Sequence, residues 1–250
     1  MQEKEKEHAT ASASTGSPPF YDLGALAASS AECSEWIGRI DAAMGPRSVP
    51  GVSELHGDLS ERLRAAVEAD AGATEWLRAA AGLGMRGVDE SVEVVVSDRW
   101  FLMRYDDGEG MSAHMDGAVR LGDAGDAGDA GDAGDAGDAG DAGDAGDAGW
   151  RSAATLLLYL DDGFAGGRTL FLDGSDAERC WSYDPDVELS DTPADAVAVA
   201  VVPRPGRAVL IRQDAWHAAE RVAGGRKHLL RTDVGVRRGG TQLWARRDQR

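Results

Sequence analysis

His114 and Asp116 stand two residues apart in the stretch Arg104-Tyr105-Asp106-Asp107-Gly108-Glu109-Gly110-Met111-Ser112-Ala113-His114-Met115-Asp116-Gly117. On a β-strand, residues i and i+2 project from the same face. One imidazole and one carboxylate would therefore converge on one point. Two such ligands and a distant His form the 2-His-1-carboxylate set that holds non-haem Fe(II) and leaves coordination positions open. His217 is the candidate third ligand. An H-x-D tripeptide in an Asp-rich chain also describes two solvated residues on a surface strand. Trp216-His217 also describes the start of a strand with a hydrogen-bonded core histidine. The elements around these residues must decide.

Length and composition set the frame. The 250 residues suit one medium-sized domain with additions, and 42% apolar content is enough for a core. Residues 122–148 are nine repeats of Gly-Asp-Ala, and setting their nine aspartates aside brings the net charge from -18 to -9. That acidic balance argues against a nucleic-acid-binding face, which needs a basic surface. The arginines at 237, 238, 246, 247 and 250 form a short basic cluster read as a solvated tail. Cys33 and Cys180 make no metal or redox motif and are read as reduced thiols. The charged start, Met1 to His8, lacks a signal-peptide core, and the apolar run Ala194–Val202 is too short to span a bilayer. An intracellular, cytoplasmic protein with no membrane partner is expected.

The chain divides by pattern. Residues 1–19 read as a disordered leader. Residues 20–90 read as a helical N-terminal support, with helices over 22–44, about 59–69 and about 73–81, a loop over 47–57, and Ser30 as a helix cap. The period then changes from helical to alternating. Val92–Val96, Trp100–Tyr105, the strand carrying His114, Thr155–Leu160, Phe164–Phe171, Val197–Val202, Arg207–Arg212, His217–Val222 and Lys227–Val236 all read as strands separated by turns. Strands without intervening helices indicate an antiparallel barrel or jelly roll. The repeat tract at 122–149 reads as a disordered loop; it lacks the apolar residue with which calcium-binding repeats build a core. Residues 241–250 read as a tail.

Five segments in order resemble the prolyl 4-hydroxylase group of Fe(II)- and 2-oxoglutarate-dependent dioxygenases. They are R-Y-x-x-G-x-x-x-x-x-H-x-D at Arg104–Asp116, T-L-L-L-Y-L-D-D at Thr155–Asp162, F-A-G-G-R-T-L-F at Phe164–Phe171, P-x-P-G-R-A-V-L-I at Pro203–Ile211, and H-A-A-E-R-V-A-G-G-R-K at His217–Lys227. The resemblance spans roughly residues 92–236. It implies an α+β fold, with a double-stranded β-helix (jelly-roll) core over 91–240 and the N-terminal helices as support. It further implies His114, Asp116 and His217 as Fe(II) ligands, and Lys227, ten residues after His217, as the partner of the distal carboxylate of 2-oxoglutarate. Tyr105 resembles a tyrosine that reaches the same cosubstrate, and Tyr159 and Thr169 match positions that line its pocket.

Physical chemistry fits those roles without fixing all of them. A dicarboxylate entering a semi-buried pocket needs a cation. Lys227 offers a point charge, and Arg231, four residues on along the same strand face, offers a bidentate fork. Lys227 also fits an edge-strand lysine, and Tyr105 a core tyrosine. His228 is adjacent to Lys227, points to the opposite face, and is not expected to be a ligand. The activity implied is hydroxylation of a peptide or protein side chain with release of succinate and CO₂, and dependence on ascorbate. The same machinery acting on a small molecule is the alternative, and a jelly-roll binding module without turnover is the rival from another class. A cupin-type metal hydrolase would have no use for a cation dedicated to a dicarboxylate.

Overall fold

The computed structural model describes residues 18–25, 28–44, 52–82, 92–117, 120–121, 150–173 and 192–238. In chain order the elements are β1 (Phe20–Ala25), α1 (Ser30–Met44), β2 (Val52–Leu55), α2 (Gly57–Ala69), α3 (Ala71–Ala80), β3 (Val92–Val96), β4 (Arg99–Tyr105), β5 (Met111–His114), β6 (Arg120–Leu121), β7 (Trp150–Tyr159), β8 (Ala165–Gly166), β9 (Thr169–Leu172), β10 (Val197–Val201), β11 (Arg207–Arg212), β12 (His217–Ala219), β13 (Val222–Ala223) and β14 (Lys227–Arg238). Every strand pairing is antiparallel. A larger sheet runs β1-β11-β7-β14-β4-β2, with β3 joined to β14 and β6 to β7, and a smaller one runs β10-β9-β12-β5.

The larger sheet is covered on both faces, and its sequence shows why. Along β7, Leu156 and Leu158 belong to one core while Leu157 and Tyr159 belong to another. The same alternation assigns Leu210 and Leu230 to the first core and Val209, Ile211 and Leu229 to the second. Period-2 geometry sends neighbours to opposite faces, so a strand buried on both sides needs an unbroken apolar run. The first core lies under the helices, where Ile40, Leu63, Val67, Trp76 and Leu77 pack against the sheet. Each such buried side chain contributes on the order of 2 kcal/mol. Trp100 is fully buried there, and its indole N–H donates to Ser60 Oγ at 3.0 Å, which ties α2 to β4. It is a core residue. The second core lies between the two sheets, where Phe20 of β1 stacks on Phe171 of β9 at 4.8 Å.

Three expectations change. Residues 20–25 form a strand, because they complete the edge of the large sheet against β11 and Gly24 sits at φ +72°, a conformation no helix interior accepts. The helix that follows begins at Ser30, and its cap is Ser29: the Ser29 hydroxyl accepts from the Glu32 N–H while the Glu32 carboxylate accepts from the Ser29 N–H. Residues 52–55, expected as loop, form β2 on the edge of β4, a strand too short for its alternation to register. The second and third helices fall within two residues of where they were expected. The stretch read as helical support thus supplies two strands of the sheet as well. Among the described residues no helix is long and apolar enough to cross a membrane, and Cys33 is a free, buried thiol. The leader up to residue 17, the Gly-Asp-Ala tract, residues 174–191 with Cys180 and Trp181, and the tail from 239 lie outside the described residues.

Candidate metal centre

The smaller sheet assembles the three candidate ligands. In the β12–β5 register His217 pairs directly with His114, and their ring centroids are 4.3 Å apart. Asp116 follows two residues after His114, just past the end of β5. His114 Nε2 lies 3.6 Å from Asp116 Oδ1, and His217 Nε2 lies 3.7 Å from Asp116 Oδ2. The three donor atoms all fall within 4.8 Å of one another.

Backbone carbonyls prepare both imidazoles. The Ser112 carbonyl accepts from His114 Nδ1–H at 2.9 Å, and the Ala215 carbonyl accepts from His217 Nδ1–H at 3.0 Å. In each case the carbonyl is two residues upstream. A neutral imidazole that donates from Nδ1 leaves the Nε2 lone pair free, which is how an outer partner orients a metal-binding histidine. Burial lowers the pKa of His217 to about 4, with His114 and Arg231 adding to it against the pull of Asp116, so this ring is neutral at physiological pH.

Asp116 supplies the test of fit. Its carboxylate is nearly buried, and Oδ2 has no hydrogen-bond partner among the described residues. Burial alone would raise its pKa, but the His114 contact, His217 and Arg231 together outweigh burial and lower it. An anionic oxygen enclosed without a donor is costly. Gaps of 3.6 and 3.7 Å to two nitrogens are too long for hydrogen bonds. A cation held among the three donors would satisfy all of them, and two neutral imidazoles with one carboxylate suit Fe(II).

A second charged feature lies at the start of β14. Lys227 is 1% exposed, pairs with Tyr105 across β4, and has Nζ 5.3 Å from the Tyr105 ring centroid and 5.6 Å from that of Tyr159. Tyr159 shares a 2.7 Å hydrogen bond with Thr169. Burial lowers the Lys227 pKa to about 8, against the smaller opposing pull of Asp161 and Glu220. Among the described residues no carboxylate lies within ion-pair distance of this ammonium. The two aromatic faces offset part of the cost of burying it, and an anionic ligand would offset the rest. Burial pushes Tyr159 up to about 12 and raises Tyr105, whose pKa also responds to the Asp116 charge. Both hydroxyls therefore stay protonated and able to donate.

Arg231 is placed elsewhere. It pairs with Phe101 in the β14–β4 register, lies over the Phe101 ring at 5.3 Å, and brings Nη2 to 3.5 Å from Asp116 Oδ1 and 3.7 Å from Asp233 Oδ1. Four residues of strand separate it from Lys227, roughly 13 Å of backbone. His228 faces the helices, where its ring contacts Asp161 at 2.5 Å and Asp41 at 3.4 Å. Its place outside the ligand set was legible from strand alternation. Asp233, Gln213 and Thr155, which line the same inner face near Arg231, were not singled out. The signal available for Asp233 was its spacing two residues beyond Arg231 on one strand.

The sequence matches no protein-family model and no curated protein. Solved structures similar to the chain include a viral collagen prolyl hydroxylase from Paramecium Bursaria Chlorella virus-1 in complex with 2-oxoglutarate (16% identity, 87% of this chain and 95% of that one, TM-score 0.45). Others are HygX from Streptomyces hygroscopicus with iron bound (14%, 88% and 83%, 0.44) and a Pseudomonas putida prolyl-4-hydroxylase (14%, 89% and 88%, 0.43). At such identities and TM-scores, function must be inferred from the chain's own residues.

Proposed function

We propose that this protein is an Fe(II)- and 2-oxoglutarate-dependent dioxygenase of the prolyl 4-hydroxylase-like kind, built on a double-stranded β-helix, that hydroxylates a C–H bond. The observation that carries the proposal is a buried carboxylate oxygen without a donor together with a buried ammonium without a counter-ion. Asp116 Oδ2 lacks a donor between two imidazoles that present free Nε2 atoms. Among the described residues, Lys227 lacks a counter-ion between two tyrosine rings. A metal cation answers the first and a dicarboxylate the second.

His114, Asp116 and His217 would hold the iron. When bound, it supplies one-electron chemistry with O₂ and the open positions at which cosubstrate and O₂ meet. The chain's residues do the rest. Lys227 takes the distal carboxylate, and the Tyr105 hydroxyl, protonated at any physiological pH, is placed to donate to the same ligand. The Tyr159–Thr169 hydrogen bond fixes the far wall of that pocket. Leu157, Leu229 and Phe171 keep the region dry, which strengthens each charged contact. The overall reaction balances as substrate C–H, 2-oxoglutarate and O₂ giving substrate C–OH, succinate and CO₂, with one oxygen atom in each of the first two products. Ascorbate dependence belongs to the proposal through the sequence resemblance.

A peptide or protein side chain and a small molecule are both compatible with this metal centre. The test of the reaction class is succinate formation from 2-oxoglutarate under air, with wild-type protein beside His217→Ala and Lys227→Ala. Turnover in the wild type, lost in the first variant and restored only by high 2-oxoglutarate in the second, is the expected result. A folded wild type that binds both iron and 2-oxoglutarate but forms no succinate with any substrate would mark a binding module instead.

A further inference from the structure

Beyond Arg231 on the inner face of the large sheet lies a group of polar side chains with no place in the chemistry above. Asp233 follows Arg231 on β14 and stands opposite Thr155 of β7. Gln213, just past the end of β11, donates its amide N–H to Asp233 at 3.4 Å and to Ser152. Thr155 and Gln213 are 1% and 6% exposed, yet Thr155 Oγ1 and Gln213 Oε1 have no hydrogen-bond partner among the described residues. Buried polar atoms are rarely left unmet, and each instance asks for an explanation.

The charges sort by kind. Arg231 presents donors, and its two carboxylate contacts, at 3.5 and 3.7 Å, are long for charge-assisted hydrogen bonds. Its side chain is 21% exposed, so it is not sealed within the core. Asp233, Gln213 Oε1 and Thr155 Oγ1 present acceptors next to it. A dicarboxylate has only acceptors and cannot answer such a set; a molecule carrying an anion and a cation side by side can. The interior of a peptide chain carries neither charge on its backbone and would leave Arg231 and Asp233 with only their long contacts to each other, Asp116 and Gln213.

We propose that Arg231, Asp233, Gln213 and Thr155 bind the molecule to be oxidised, and that this molecule is a free α-amino acid or a close small relative, with its carboxylate on Arg231 and its ammonium on the acceptor group. Arg231 touches the metal ligand Asp116, so a carboxylate anchored there holds the side-chain carbons of a small substrate next to the metal. Lys227 lies roughly 13 Å back along the strand, which keeps the cation assigned to the cosubstrate apart from this group. The proposal rests on the dioxygenase assignment for the fate of the bound molecule, and on the polar group alone for its binding.

The experiment is calorimetric titration of wild-type protein, both metal-free and anaerobically loaded with Fe(II) and 2-oxoglutarate, with each of the common free L-amino acids and with their N-acetyl amides. At least one free amino acid is expected to bind, and its N-acetyl amide to bind at least about a hundredfold more weakly, because capping removes two charges worth about tenfold or more apiece. Arg231→Lys and Asp233→Asn, each checked for folding by circular dichroism, are expected to weaken the free amino acid by at least about tenfold. Equal binding of the capped forms, no binding of any amino acid, or unchanged binding in both variants would overturn the proposal. An Fe(II)–2-oxoglutarate complex without amino-acid binding would leave the dioxygenase assignment standing and remove this one. Amino-acid binding to a protein that forms no such complex would do the reverse.

Discussion

His114 and His217 stand directly opposite each other on neighbouring antiparallel strands, rings 4.3 Å apart, with both Nδ1 atoms held by carbonyls of their own chain segments. The register of β5 against β12 therefore sets two of the three candidate ligands side by side. Metal binding is expected to stabilise the fold by mass action. At a hundredfold excess over the dissociation constant the gain is about 2.7 kcal/mol, roughly 5–11 °C in melting temperature for a chain of this size. Anaerobic thermal melts with and without Fe(II) check this: the shift should vanish in His114→Ala and His217→Ala, and an undiminished shift in either would remove that residue from the site.

Lys227 should behave as a charge kept for a ligand at the expense of stability. Lys227→Met removes a fully buried ammonium and keeps much of its volume. The ligand-free variant is expected to melt at or above the wild-type temperature, because an uncompensated buried charge is removed. Its 2-oxoglutarate affinity should fall by about 2–3 kcal/mol, roughly thirty- to a hundred-and-fiftyfold. A destabilised variant with unchanged affinity would make Lys227 a structural residue.

The same lysine sets a pH dependence. Its pKa in the folded protein is lowered to about 8 from an ordinary value of 10.5. Between those values the unfolded chain binds more protons than the folded one, so the stability of the ligand-free protein should rise with pH across that window. If 2-oxoglutarate binds through the ammonium as proposed, affinity should hold below pH 8 and decline by up to about tenfold per pH unit above it. Titrations from pH 6.5 to 9.5 read both slopes, and a flat affinity profile that Lys227→Met does not alter would contradict this role.

Gly167 packs against Phe164 and Lys227. It sits at φ +66°, and a Cβ there would lie 2.6 Å from a ring carbon of Phe164 and 3.4 Å from Lys227 Cδ. Gly167→Ala combines a left-handed backbone with that collision. A loss of about 1–3 kcal/mol in stability is expected, together with weaker 2-oxoglutarate binding as Phe164 is pushed aside. Chemical denaturation and ligand titration of the one variant measure both.

Much of this was legible in the chain. Alternation located β3 and β4, and short apolar runs bounded by turns located β7 and β11, because a strand buried on both faces needs an apolar residue at every position. The H-x-D pair carried its geometry in its spacing. What could not be read has a common cause: it depends on which strand lies beside which. The turn from helix to strand at Phe20–Ala25 follows from an open edge on β11 and from the φ of Gly24. The contact of Arg231 with Asp116 follows from the way the two sheets face each other. The group around Asp233 required β7, β11 and β14 to be assembled before Thr155 and Gln213 could meet it.

The measurement closest to the central claim is anaerobic titration of the purified protein with Fe(II) and 2-oxoglutarate, followed by the visible charge-transfer absorption of the chelate, with His114→Ala and Lys227→Ala alongside. The account predicts a band in the wild type, none in the His114 variant, and one that needs far more 2-oxoglutarate in the Lys227 variant. A folded wild-type protein that develops no band at saturating concentrations of both would contradict it.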